Sequence, residues 1–175
     1  TPGDHILLCA ENRVDWAVAD LAIMAIGCVV VPAYTTNTDD DHAWQIEHSQ
    51  VKLIICCAGK VAESLSRVLS EKDNVSDIIL MDKPAAELTK QCDVCFHFLH
   101  DIYVTGDKDT QLDKITHNLA ETEPCCLIYT SGTGGRPKGV LLTHQSIQAN
   151  IDAAYLLLAE GAVQDNAVFL SILPL

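Results

Sequence analysis

Short apolar runs alternate with amphipathic segments along the first part of the chain. The runs are rich in β-branched residues, as is typical of strands buried on both faces of a sheet, and they lie at 5–10, 28–31, 51–57 and 78–81. The segments between them repeat apolar residues on one helical face, as in Trp16, Ala19, Ile23 and Ile26. This order predicts an α/β fold with a mainly parallel sheet flanked by helices.

Polar residues mark the expected ends of these helices. Asn12 is a candidate N-cap of the first helix, and Gly27 is a candidate C′ residue at its end. Thr38 is a candidate N-cap of the second helix, with the acidic residues 39–41 in its first turn. Acids there complement the helix dipole, and three consecutive side chains do not converge on one ion. We therefore interpret them as helix-stabilising residues rather than metal ligands.

The alternation weakens over residues 83–123, which predict a short helix and a long surface excursion. Strands are predicted again at 125–130 and 139–142, and a final one at 167–172. Thr143 is a candidate N-cap of a helix that ends at Gly161 and repeats apolar residues at Ile147, Ile151, Ala154, Tyr155 and Leu158.

The segment that joins strands 125–130 and 139–142 is dense in small and hydroxyl-bearing residues. It contains Thr130, Ser131, Gly132, Thr133, Gly134 and Gly135, and Lys138 follows. Glycines permit close backbone approach, hydroxyls donate hydrogen bonds, and a lysine supplies a flexible positive charge. A β-turn needs only one or two special residues, so a plain hairpin turn is the weaker interpretation. The segment predicts a loop that binds a phosphate chain.

Two common phosphate loops do not match this segment. The pattern GxxxxGK[ST] would need a glycine at position 137 and a Ser or Thr at 139, where the chain has Pro137 and Gly139. The dinucleotide pattern GxGxxG from Gly132 also requires a glycine at 137. The loop lies between two predicted strands, so backbone amides and side chains would bind the phosphates without a helix dipole.

Charge restricts the partners of the protein. The formal net charge is −13, which disfavours binding to a nucleic-acid backbone. Arg136 and Lys138 are the only arginine and lysine after position 123, and both lie at the loop. This placement makes the loop the favoured anion site of the last third of the chain.

The eight cysteines lie mostly in apolar surroundings, where cysteine behaves as a small buried hydrophobe. No secretory signal is recognised before them, so we expect a reducing, cytoplasmic compartment. The longest apolar run, at 21–33, is too short to span a bilayer. Both ends of the chain look truncated, and we expect residues 1–175 to be one part of a larger domain.

The sequence contains three other candidates for a metal or catalytic site. Cys92, Cys95, His97 and His100 have ligand types that suit zinc, but their spacing is too compressed to close a tetrahedron easily, and the neighbouring apolar residues favour ordinary packing. Ser131 lacks the GxSxG context of a nucleophile and is better read as a phosphate donor. His144 is interpreted as a residue of the first turn of a helix rather than as a catalytic base.

The segment from Tyr129 to Val140 resembles the signature of the adenylate-forming superfamily, which includes acyl-CoA synthetases, luciferases and peptide-synthetase adenylation domains. The usual form is YTSGTTGxPKGV, and Gly134 replaces its second threonine. Residues 3–38 are similar to the opening of the large N-terminal domain of long-chain fatty acyl-CoA synthetases. The terminal SILPL is similar to the strand that precedes an active-site histidine segment in that family.

This resemblance implies a two-step reaction in which a carboxylate attacks the α-phosphate of ATP and CoA then displaces AMP. Thr130–Gly135 and Lys138 would bind the β- and γ-phosphates together with Mg²⁺, and fatty acid, ATP and CoA would be the small-molecule substrates. It implies no catalytic acid or base and no protein metal ligand among residues 1–175. Contact with a membrane surface is compatible with a fatty substrate.

The resemblance also implies that the C-terminal domain and much of the catalytic machinery are encoded beyond Leu175. We therefore expect the 175-residue chain alone to be inactive. A non-catalytic or degenerate nucleotide- or phosphate-binding module is the alternative, because Gly134 removes one hydroxyl of the usual signature.

Overall fold

The computed structural model describes residues 1–69, 74–83, 94–105, 119–130 and 136–159. The strands are β1 (His5–Cys9), β2 (Val29–Pro32), β3 (Leu53–Cys56), β4 (Asp77–Leu80), β5 (Cys95–Phe98), β6 (Pro124–Thr130) and β7 (Lys138–Thr143). The helices are α1 (Val14–Ala25), α2 (Asp39–Ser49), α3 (Lys60–Val68), α4 (Leu99–Thr105) and α5 (His144–Ala159). The predicted helix end at Gly161 and the strand at 167–172 lie outside the described residues.

All seven strands form one sheet in the order β5-β4-β3-β1-β2-β6-β7. Every neighbouring pair is parallel except β6 and β7, which are antiparallel at one edge. The prediction of an α/β fold with a mainly parallel sheet is confirmed. Strand β1 lies at the centre, where Leu7 and Leu8 have no exposed surface, in keeping with a strand covered on both faces.

Strand β5 corrects the prediction for residues 83–123, which contained no strand. Its residues alternate between exposed and half-buried, because β5 is an edge strand that pairs only with β4. Cys95 and His97 are exposed, whereas Phe96 and Phe98 pack against the core. A four-residue strand that is polar on one face has too weak a period to stand out from its neighbours. The predicted short helix of this region is α4.

Capping accounts for the ends of the first two helices. Helix α1 begins one residue later than predicted: its N-cap is Arg13 instead of Asn12, and the Arg13 guanidinium binds Asp82 and Asp15 at 2.9 Å. Gly27 follows α1 with a φ of +76°, as a C′ residue does. Ile26 is 40% exposed because the backbone leaves the helix there, so its predicted place on the buried face was wrong.

The N-cap predicted at Thr38 is confirmed by a capping box. The Thr38 hydroxyl accepts a hydrogen bond from the Asp41 backbone amide at 3.2 Å, and the Asp41 carboxylate accepts one from the Thr38 amide at 3.1 Å. Asp39 binds Arg67 of α3, and this contact lowers the pKa of the carboxyl to about 2. Asp39 and Asp41 therefore stabilise α2 and its packing.

Helices cover both faces of the sheet, and each face has its own core. Helices α2 and α3 pack on one face around Ile46, Ile54 and Leu65. Helix α1 packs on the other face around Trp16 and Ile23, where Ile147 of α5 joins it. No described helix is long and apolar enough to cross a membrane.

Candidate functional site

The antiparallel hairpin of β6 and β7 carries the predicted phosphate loop. Thr130 is the last residue of β6, Lys138 is the first residue of β7, and the two are paired directly across the hairpin. Both are exposed. The structure therefore brings together the first and last members of the predicted site. Ser131, Gly132, Thr133, Gly134 and Gly135 lie outside the described residues.

The sequence of β6 explains how its end reaches the surface. Cys125, Cys126, Leu127 and Tyr129 are buried between β2, β7 and the helices, whereas Thr130 is exposed. Gly139 lies opposite Tyr129, and a β-carbon there would come within 2.9 Å of the Leu127 side chain. The absence of a side chain at Gly139 thus lets the strand lie close to the buried face of β6.

Helix α2 contacts the base of the hairpin through two aromatic side chains. The Trp44 indole N–H donates a hydrogen bond to the Pro137 carbonyl at 3.3 Å, and the Arg136 guanidinium carbon lies 4.5 Å from the centroid of a Trp44 ring. The Tyr129 hydroxyl lies 2.7 Å from Nδ1 of His48, a hydrogen bond whose donor depends on the imidazole tautomer. Burial raises the pKa of Tyr129, so the phenol stays protonated at neutral pH.

Trp44 and His48 were not predicted as site residues. Their spacing of four residues, which places two rings on one side of a helix, was the signal available. This spacing indicates that both rings contact the same part of the protein. Which part that is depends on the order of the strands in the sheet, which the sequence does not show.

A cavity of about 330 Å³ opens beside the hairpin, lined by Asp40, Asp41, Ala43, Trp44, Glu47, Arg136 and Pro137. Its α2 wall carries three carboxylates and its hairpin wall carries one guanidinium. An anion that entered this cavity would meet its favourable charge only on the hairpin side. The electrostatics therefore favour phosphate contact at the hairpin rather than at the helix.

The competing sites are only partly within the described residues. His97 lies 2.7 Å from Asp77 on the exposed face of β5, His100 lies on α4, and Cys92 is outside the described ranges. Among the residues that the structure describes, no three His, Cys, Asp or Glu side chains come together as a metal site.

His144 is the first residue of α5, where the sequence placed it. The helix is capped as predicted, because the Thr143 hydroxyl accepts a hydrogen bond from the Ser146 amide at 3.2 Å. Nε2 of His144 is buried and has no hydrogen-bond partner within the described part of the chain.

Comparison with known proteins agrees with this architecture. The rat long-chain-fatty-acid–CoA ligase 5 is 33% identical over 174 residues, which is 95% of this chain and 25% of that protein. Fatty acyl-CoA synthetase A of Dictyostelium discoideum is 30% identical over 178 residues, which is 99% of this chain and 25% of that protein. The chain thus spans about a quarter of the length of these relatives.

Solved structures share the fold at lower sequence identity. A natural red-emitting luciferase from Phrixothrix hirtus superposes with a TM-score of 0.69 at 18% identity, over 94% of this chain and 38% of that one. Residues 1–175 as a whole match the family described as "AMP-binding enzyme". The chain therefore belongs to the AMP-binding, adenylate-forming enzyme family, and its mostly parallel sheet with flanking helices matches the α/β N-terminal domain of such enzymes.

Proposed function

We propose that the full-length protein uses ATP to activate a long-chain fatty carboxylic acid as an acyl-adenylate and then transfers the acyl group to CoA. In the first step a carboxylate oxygen attacks the α-phosphorus of ATP, and the bond to the bridging oxygen breaks to release pyrophosphate. In the second step the CoA thiol attacks the acyl carbon, and AMP leaves. The long acyl chain is supported by relatives named as long-chain ligases.

One observation carries this proposal: Thr130 and Lys138 face each other at the two ends of a loop made of Ser, Thr and Gly. A hydroxyl donor and an ammonium group at the base of one loop can contact neighbouring phosphate oxygens. Residues 131–135 would add backbone N–H and hydroxyl donors along the same phosphate chain. Hydrogen bonds to charged acceptors are the stronger kind, at about 1.5–3 kcal/mol each.

These residues would act by positioning and charge neutralisation. The leaving pyrophosphate gains negative charge as the α-phosphate bond breaks, and an ammonium group fixed beside it stabilises that charge. None of Thr130–Gly135 or Lys138 is proposed as a general acid or base. Arg136 adds a second positive charge at the edge of the same loop.

Mg²⁺ would enter with ATP and not as a resident metal. It prefers oxygen ligands and usually keeps substrate phosphates and waters in its shell. Thr130 supplies an exposed hydroxyl oxygen at the loop, which fits this mode of binding. When bound, the ion would neutralise phosphate charge alongside Lys138.

A reducing compartment is proposed for the protein on the basis of its thiols. The seven described cysteines form no disulfide, and five of them are buried. Burial raises the pKa of Cys126 to about 12, which keeps this thiol protonated and unreactive.

The test is product analysis with the full-length protein, ATP, Mg²⁺, CoA and carboxylic acids from acetate to stearate, including benzoate. We expect AMP and acyl-CoA in equal amounts, with the highest kcat/KM for a long-chain acid. Release of ADP, or the absence of acyl-CoA with every acid, would contradict the proposal. ATP binding without any product would favour the non-catalytic phosphate-binding module.

A further inference from the structure

One face of α2 contacts both ends of the loop assigned to phosphate binding. Trp44 and His48 are one helical turn apart and lie on the same side of α2. Trp44 binds the carbonyl of Pro137, the residue before Lys138. His48 binds the hydroxyl of Tyr129, the residue before Thr130. The centroids of the Trp44 and His48 rings lie 4.8 Å apart with the planes tilted by 38°, and His48 meets the Tyr129 ring edge to face at 5.6 Å, so the three side chains form one aromatic cluster.

Helix α2 is anchored independently of the hairpin. Its first turn is held by the capping box and by Asp39, which accepts a hydrogen bond from Nε of Arg67 at 2.8 Å. His42 and Ile46 on its inner face are almost fully buried, with exposures of 1% and 2%. A contact with α2 therefore ties the hairpin to the helical layer that covers the parallel strands.

Trp44 contacts the segment that carries the positive charges of Arg136 and Lys138. Its N–H fixes the backbone one residue before Lys138, and one of its rings lies under the guanidinium of Arg136. Arg136 and Lys138 are the only arginine and lysine after position 123. A single side chain thus orients the segment that carries both of these charges.

The physical advantage of such a contact is preorganisation. Ordering a backbone segment and its charged side chains around a ligand costs conformational entropy. Contacts already present without the ligand reduce that cost and so tighten binding. We expect the tighter binding to be that of the polyphosphate chain of a nucleoside triphosphate, the ligand assigned to the loop.

We propose that Trp44 is a positioning residue for the triphosphate of ATP, acting through Arg136, Pro137 and Lys138. This inference rests on the proposed function of the hairpin. Trp44 is not assigned a contact with the substrate. The carboxylic acid and CoA should bind independently of it.

The test uses the full-length protein and the variants Trp44→Phe and Trp44→Leu in acid-dependent ATP–pyrophosphate exchange. Phenylalanine keeps an aromatic ring and loses the N–H donor, whereas leucine loses both. We expect KM for ATP to rise about 3- to 10-fold in Trp44→Phe, as for the loss of one hydrogen bond, and further in Trp44→Leu. KM for the carboxylic acid should not change in either variant.

Tyr103→Phe is the matched control, since it removes the polar group of an exposed aromatic on α4, beside the opposite edge of the sheet. It should keep the wild-type KM for ATP. A merely structural role for Trp44 would instead lower the urea midpoint and the amount of active enzyme and leave KM for ATP unchanged. That result would overturn the proposal.

Calorimetric titration with ATP separates this proposal from the proposed function. If the wild-type protein binds ATP but catalyses no exchange with any acid, the ligase function fails, and a higher Kd in Trp44→Leu would still support the role of Trp44. Equal Kd values in wild type and Trp44→Leu would overturn it. Failure of the wild-type protein to bind ATP would overturn both.

Discussion

At the scale of single residues, the base of the candidate site joins groups that are far apart in the sequence. Thr130 and Lys138 meet through strand pairing, whereas Trp44 reaches Pro137 across 93 positions of the chain. The first pair could be inferred from the sequence, because a loop between two adjacent strands brings its own ends together. The contact of Trp44 with Pro137 could not be inferred from the sequence. It exists only because the folded sheet brings the β6–β7 hairpin beside α2.

Asp20 is a half-buried acid of α1 that gives a prediction at the residue scale. Burial raises its pKa to about 6. The folded state therefore holds its proton more tightly than the unfolded state, and stability falls as pH rises from about 4 to 6. Replacing Asp20 by Asn should raise the free energy of unfolding at pH 7 by up to about 3 kcal/mol, given about 1.4 kcal/mol per pKa unit.

Urea unfolding at pH 4, 5, 6 and 7 measures this effect. The gain in Asp20→Asn should be largest at pH 6 and 7 and should shrink steadily towards pH 4, where the folded-state carboxyl is protonated and the unfolded-state one is only partly ionised. The wild-type protein measured at the same pH values is the reference, and the two curves should converge as the pH falls. A gain in Asp20→Asn that is the same at every pH would contradict the assignment.

At the scale of elements, the regular part of the sheet was predictable and its edges were not. Strands β1 to β4 are largely apolar because helices cover both faces of the sheet there. Their composition alone therefore predicts buried strands. Strand β5 has one polar face and pairs with a single strand, so its sequence lacks the continuous apolar run that marks the other strands. The capping boundary at Thr38 was predictable from local chemistry, whereas the N-cap Arg13 of α1 makes no side-chain cap and instead binds Asp82, a partner 69 residues away that the local sequence does not reveal.

The end of α1 gives a prediction at this scale through two glycines that are joined by a backbone hydrogen bond. Gly3 and Gly27 both have positive φ, and the Gly3 amide donates to the Gly27 carbonyl at 2.7 Å. A β-carbon at Gly27 would come within 2.7 Å of Leu119, whereas one at Gly3 would meet nothing within 4 Å. Gly3→Ala should therefore cost about 1 kcal/mol for backbone strain alone.

Gly27→Ala should cost about 2–3 kcal/mol in the same urea measurement, since overpacking adds to the strain. The difference between the two variants isolates the steric contacts of the new β-carbon with Leu119 and Pro2. Equal losses in the two variants would show that this contact is relieved without cost.

At the scale of the whole molecule, the chain is a sheet whose candidate site lies at one edge. The apolar face predicted for α5 is largely exposed: Ile151 is 54% and Tyr155 is 71% exposed. The relatives that the chain matches are about four times as long. Within the described part of the chain, this face of α5 is left uncovered.

The purified 175-residue chain is predicted to form no acyl-CoA from a fatty acid, ATP and CoA, while the full-length protein does. The physical reason is that a hairpin that positions phosphates does not by itself bind the acid, the ribose and the thiol. Mass spectrometry of the products decides this. Formation of thioester by the 175-residue chain would contradict the prediction.

The central claim is that the β6–β7 hairpin holds the phosphates of ATP while a carboxylate is activated. Acid-dependent ATP–pyrophosphate exchange by full-length Lys138→Met tests it most directly, with Lys83→Met, an exposed lysine outside the hairpin, as the matched control. Loss of one preorganised donor to developing charge lowers turnover by about 100-fold or more. We predict that kcat/KM for ATP falls by about 100-fold or more in Lys138→Met and keeps its wild-type value in Lys83→Met. Wild-type exchange by Lys138→Met would contradict the account.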